Sequence, residues 1–224
     1  MGTDTSLQAA DGFTLGAYMA QPQAAARGGV VVVQEIFGVN GHIRAVCDRF
    51  AEADYLAVAP AIFDRVERGV QLGYTPEDIA RGRAIRGQCD MDKVLQDLAA
   101  AAEVAATAGK VGIVGYCWGG LLTYRAACRL GDRFACAASY YGANIVSYLG
   151  EKPAVPMQLH FGALDASIPA TEIAQIRAAH PALSVHVYDG ADHGFNCNQR
   201  RQYNPVAARL AQKRTLDLFA THLR

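Results

Sequence analysis

Three residues able to act together on a carbonyl group stand in separate parts of the chain. They are Cys117 in VGIVGYCWGG (111–120), Asp165 in HFGALDASIP (160–169) and His193 in YDGADHGFN (188–196). A cysteine between Gly115 and Gly119, after an apolar run and before a helical pattern, sits on a sharp strand-to-helix turn that lifts its side chain clear. The first N–H groups of the following helix favour negative charge there, and a thiolate benefits directly. A histidine moves protons to and from such a nucleophile, and a carboxylate orients the imidazole. The order nucleophile, acid, histidine, each just past an apolar run, is the order in which one sheet edge would present them. Taken singly, an Asp after a strand is an ordinary turn former, and the His between Asp192 and Gly194 an ordinary turn residue. The three in order, at strand ends, point to acyl transfer.

The elements that must hold them follow from the apolar pattern. Runs at 30–35, 56–60, 110–116, 134–142, 156–162 and 183–190 read as short strands, mostly buried. Helical patterns occupy 41–53, 76–107, 118–130, 170–180 and 205–222, the second broken near Gly82 or Gly87. Strand followed by helix, repeated, predicts a mostly parallel sheet with helices on both faces. The alternating FTLGAYMA (13–20) adds an antiparallel strand at the edge, and 61–75 is a loop. No repeat or long linker divides residues 1–224, so a single α/β domain is expected.

Composition narrows the classes. Lys plus Arg and Asp plus Glu are 21 each, and no basic stripe appears, so nucleic acid is not an expected partner. No secretory signal or membrane-spanning run is visible. Six cysteines without a CxxC argue against zinc knuckles and thioredoxin-type centres, and no metal or cofactor is expected. Reduced thiols in a leaderless chain fit the cytoplasm. Nothing in the pattern separates a monomer from a small homo-oligomer.

QEIFGVN (34–40), GYCWGG (115–120), SYYG (139–142), GALDASIP (162–169) and the GADHGF around His193 together resemble the dienelactone hydrolase family, a cysteine-dependent branch of the α/β-hydrolases. The resemblance covers nearly the whole chain and implies an α/β-hydrolase fold without a cap domain. It implies a triad of Cys117, His193 and Asp165, and a Glu35 close enough to the nucleophile to affect its ionisation. In such a fold the oxyanion donors are the backbone N–H of Trp118, after the nucleophile, and an N–H from the loop after VVVVQ, here Ile36. The family also holds a substrate carboxylate with two arginines. One position, shortly after the histidine, is Cys197 in this chain, with Arg200 and Arg201 nearby but out of register. The other falls in PEDIARGRAIR, where Arg81 and Arg83 both qualify.

Sulfur constrains the substrate. A thiolate attacks readily but is also expelled readily, so forward collapse needs a good second leaving group such as an enolate or phenolate. Small activated esters and lactones are therefore the expected substrates: enol lactones of the dienelactone type, aryl esters and related phosphotriesters. With Cys197 in the arginine position, neutral activated esters should compete well with dienelactone itself. Phe37, Trp118, Tyr140, Tyr141 and Phe195 are candidates to line an open cleft. A thioesterase or other cysteine hydrolase, and a non-catalytic small-molecule-binding scaffold, are the competing readings.

Overall fold

Uninterrupted apolar runs become the strands buried on both faces, and alternating runs become the strands toward one edge. The computed structural model describes residues 1–224. The order is β1 (Thr3–Gln8), β2 (Thr14–Ala20), β3 (Gly29–Val33), α1 (Gly41–Glu52), β4 (Leu56–Pro60), α2 (Pro76–Arg86), α3 (Met91–Ala105) and β5 (Val111–Tyr116). It continues with α4 (Trp118–Arg129), β6 (Cys136–Tyr140), β7 (Met157–Gly162), α5 (Ala170–Ala179), β8 (Ser184–Tyr188) and α6 (Pro205–His222). The eight strands form one sheet in the order β1-β2-β4-β3-β5-β6-β7-β8. Strands β1 and β2 are antiparallel, as are β2 and β4, and every other pair is parallel. This is an α/β-hydrolase-like fold.

Helices cover both faces. Phe50 of α1 and Phe219 of α6 meet with ring centroids 5.7 Å apart, so these two helices share one face. The other face carries α3 and α4, and Tyr124 of α4 bonds His180 at the end of α5 at 2.8 Å. Helix starts follow the local sequence. Thr75 and Asp78 cap α2 reciprocally ahead of Pro76, and Asn40, Asp90 and Asn204 cap α1, α3 and α6. Each such cap contributes about 1 kcal/mol.

Two details differ from expectation, the edge strand and the 61–75 segment. The alternating strand β2 is not the edge, because β1 pairs outside it. In β1 only Leu7 is buried, so its sequence carries almost no apolar signal. The 76–107 pattern is two helices, as the expected break implies: the break falls at Gly87, where α2 ends, and α3 starts after the Asp90 cap. The 61–75 segment is more ordered than a plain loop. It opens with a 3-10 turn at Ile62–Arg65, and Arg65 makes ion pairs with the buried Asp97 (2.7 Å) and with Asp11 (2.9 Å). A bridge between Gly38 and Gln71 then ties it to the loop after β3. Between β6 and β7 there is only a short 3-10 turn, Ile145–Tyr148, so no cap covers the carboxyl edge.

Candidate active site

Cys117 stands between β5 and α4 with φ 55° and ψ −118°, a conformation that a non-glycine residue adopts only when its surroundings hold it there. The glycines on either side are what make the turn fit. A Cβ on Gly115 would lie 2.0 Å from the Gly119 carbonyl oxygen. One on Gly119 would lie 2.4 Å from the carbonyl oxygens of Val33 and Gln34. Helix α4 therefore begins in direct contact with the end of β3. The Cys117 N–H donates to the Tyr140 carbonyl at 3.0 Å, which fixes the turn to β6 as well.

Asp165 follows β7 and is buried. Its Oδ1 accepts from the Ser167 N–H at 2.8 Å, and its Oδ2 lies 2.7 Å from His193 Nδ1. With Nδ1 so engaged, Nε2 is the nitrogen left for Cys117. Burial on its own would lower the His193 pKa. The Cys117 sulfur, by charge and hydrogen bond, and Asp165 outweigh that and raise it to about 10. The arrangement thus favours the protonated form of His193 beside the Cys117 sulfur. The Tyr141 ring lies 5.1 Å from the His193 ring. Asp165, His193 and Cys117 meet at the carboxyl edge of the sheet, where the sequence order places them.

The loop after β3 supplies the opposite wall. Neither the Ile36 nor the Trp118 N–H donates to a backbone carbonyl, so both remain available to an oxyanion. Gly82 of α2 sits against this loop so tightly that a Cβ there would fall 2.0 Å from the Ile36 carbonyl oxygen. Trp118 stacks on Phe63 with centroids 5.5 Å apart, and Phe37 meets Tyr74 edge-on at 4.7 Å. The 61–75 segment is therefore part of the wall.

Glu35 is fully buried. Burial raises its pKa, against the pull of the Arg200 and His193 charges. Its Oε1 accepts from Arg200 Nη1 at 3.4 Å, while Oε2 has no partner. Arg200 is the guanidinium that reaches this site. Its side chain is only 13% exposed and lies over the rings of Tyr74 (5.6 Å) and Phe37 (5.9 Å).

Several expected residues stand elsewhere. Arg81 pairs with Glu67 on the surface and Arg83 is exposed; both flank Gly82, yet no contact brings either guanidinium to the triad. Tyr140 backs the site and does not line it. Its hydroxyl bonds Thr215 of α6 at 2.7 Å, and its ring lies 4.6 Å from that of His160. Cys197 is buried, and its thiol donates to the Tyr74 hydroxyl at 3.2 Å. Arg200 looked out of register because linear spacing fails here. Successive turns (Cys197 N–H to Gly194, Arg200 N–H to Cys197, Tyr203 N–H to Arg200) coil the segment and return residue 200 to the site. Nothing in the local sequence signals that coiling. Tyr74 and the buried His42, also beside Glu35, were not signalled either.

The chain as a whole is similar to known proteins. The dienelactone hydrolase family profile matches residues 15–223. A carboxymethylenebutenolidase of Pseudomonas putida is 36% identical over 228 residues, covering 96% of this chain and 94% of the relative. A Klebsiella pneumoniae structure, provisionally named a dienelactone hydrolase, superposes with a TM-score of 0.89 at 30% identity and covers 99% of each chain. A dienelactone hydrolase-like promiscuous phosphotriesterase from metagenomic libraries superposes at 0.77, covering 99% of this chain and 98% of its own. At 18% identity that likeness is one of fold alone.

Proposed function

The chain belongs to the dienelactone hydrolase family of ester-cleaving enzymes, and we propose that it opens small activated esters and enol lactones through a covalent Cys117 thioester. The observation that carries this reading is the Asp165–His193 bond of 2.7 Å beside a cysteine held at positive φ on the turn into α4.

The thiolate of Cys117 attacks the carbonyl carbon, and a C–S bond forms as the carbonyl electrons move to oxygen. That oxyanion takes the N–H groups of Ile36 and Trp118, neither of which donates to a backbone carbonyl. Collapse breaks the bond to the leaving oxygen. An enolate or phenolate leaves in preference to the thiolate and takes the proton of the His193 imidazolium. In an enol lactone the released enolate stays attached to the acyl chain and becomes a ketone. His193, now neutral and still held by Asp165, takes a proton from water. The resulting hydroxide attacks the thioester, and the acid leaves with Cys117 restored as thiolate.

Arg200 and Glu35 bear on which substrates fit. Arg200 touches its carboxylate partner at 3.4 Å, longer than a tight charge-assisted bond, and its other donors lie between two aromatic faces. A substrate carboxylate is the natural further partner, so the anionic lactone suits this site in spite of Cys197. Neutral aryl esters use the same acyl machinery without that contact. The test is hydrolysis of dienelactone and an aryl acetate by wild type, by iodoacetamide-treated protein and by Cys117→Ala. The proposal expects both activities to disappear together in the last two.

A further inference from the structure

Beside the triad lies a second group of polar side chains that acyl transfer does not use in full. Glu35, His42 and Cys197 are all buried, and their ligand-type atoms lie within 4.8 Å of one another. Both ring nitrogens of His42 lack a hydrogen-bond partner, as does Glu35 Oε2. His42 and Glu35 are each 0% exposed. A buried polar atom without a partner costs roughly 1–3 kcal/mol, and these two neighbouring side chains carry three such atoms. His42 also sits in the first turn of α1, where packing alone would be served by an apolar side chain.

We propose that Glu35, His42 and Cys197 bind one divalent cation of the zinc type. The donor set is one carboxylate oxygen, one imidazole nitrogen and one thiolate sulfur, a set suited to Zn2+ or Co2+ rather than to Mg2+ or Ca2+. Metal–ligand distances of about 2.0–2.3 Å require the three atoms to stand roughly 3.3–3.8 Å apart, so side-chain rotation must close the present spacing by up to about 1.5 Å. Arg200 uses Oε1 of Glu35 and leaves Oε2 free to ligate. On binding, a metal–sulfur bond forms and the Cys197 thiol proton passes to solvent, with no change of oxidation state. An outer partner is already in place. Tyr74 accepts from Asn40 Nδ2 at 3.2 Å, so its own O–H can turn to the Cys197 thiolate, across the contact that the thiol now donates. The proposal concerns binding alone and stands whether or not Cys117 is the nucleophile.

The test is titration with Co2+ in a Cys117→Ser background, which removes the other thiolate near His193. One equivalent should bind with a thiolate-to-cobalt charge-transfer band, displaced by Zn2+ and not by Mg2+. Cys197→Ser in that background should abolish the band, and His42→Gln should weaken Co2+ binding at least tenfold, with folding checked by circular dichroism. X-ray absorption of the Zn2+ form of the same Cys117→Ser protein gives an answer independent of how those variants fold. One sulfur with nitrogen or oxygen ligands supports the site. A shell of nitrogen and oxygen only, no band in the Cys117→Ser protein, or a band and affinity indifferent to both His42→Gln and Cys197→Ser would overturn it.

Discussion

Arg200→Met separates the two jobs assigned to the guanidinium. The substitution keeps most of the side-chain volume against Phe37 and Tyr74 but removes every donor. It also leaves Glu35 without the one side chain that now bonds it. A charge-assisted hydrogen bond is worth about 1.5–3 kcal/mol, which corresponds to roughly ten- to 150-fold in kcat/KM. Dienelactone should therefore lose that factor relative to a neutral aryl acetate measured on the same protein. Any loss on the aryl acetate itself reports the change at Glu35, because that substrate has no carboxylate to hold. The ratio of the two kcat/KM values, wild type against variant, is thus the quantity to read. Arg81→Ala and Arg83→Ala serve as controls and should leave the ratio unchanged, since Arg81 is occupied by Glu67 and Arg83 is exposed. An unchanged ratio in Arg200→Met, or a shift in the Arg81 variant, would refute the reasoning.

Asp165→Asn removes one of the groups that raise the His193 pKa, so the imidazolium is weakened and the proton returns to sulfur. The pH profile of iodoacetamide alkylation at Cys117 should then move to higher pH, and a coincident profile would remove Asp165 from its role. Glu35 is raised by burial and loses its proton beside His193 and Arg200, so Glu35→Gln should remove one inflection from the wild-type alkylation profile. Retention of every inflection would mean that Glu35 does not act on the nucleophile. Gly119→Ala places a methyl 2.4 Å from two backbone carbonyl oxygens, so the turn must shift. A destabilisation of about 1–3 kcal/mol should appear as a lower Tm, together with a fall in kcat; unchanged values of both would contradict the close contact.

Much of the scaffold is legible in the residues because local and global signals agree. Strands β3, β4 and β5 are uninterrupted apolar runs and β6 is broken only by Ser139, the helix caps stand where the periodic patterns begin, and Cys117 is marked by its glycines. The failures have separate physical causes. Strand β1 buries little beyond Leu7, so backbone pairing with β2 decides it without an apolar pattern. Tyr140 and Tyr141 are adjacent, yet one turns to Thr215 beneath the site and the other, at φ 39°, faces His193. Arg200 depends on the coiling of residues 194–203, and the approach of His42 to Cys197 joins segments with no shared local signal. The coiled 194–203 segment is the clearest case in which irregular backbone defeats sequence spacing.

The central claim is that the acyl group passes through Cys117. Rapid acid quenching during turnover of a p-nitrophenyl ester, followed by peptide mass mapping, tests it directly. The account predicts one acyl group per chain on the peptide holding Cys117, absent after iodoacetamide treatment, and no turnover above background in Cys117→Ala. Continued turnover by Cys117→Ala, or an acyl group mapped to a different residue, would contradict it.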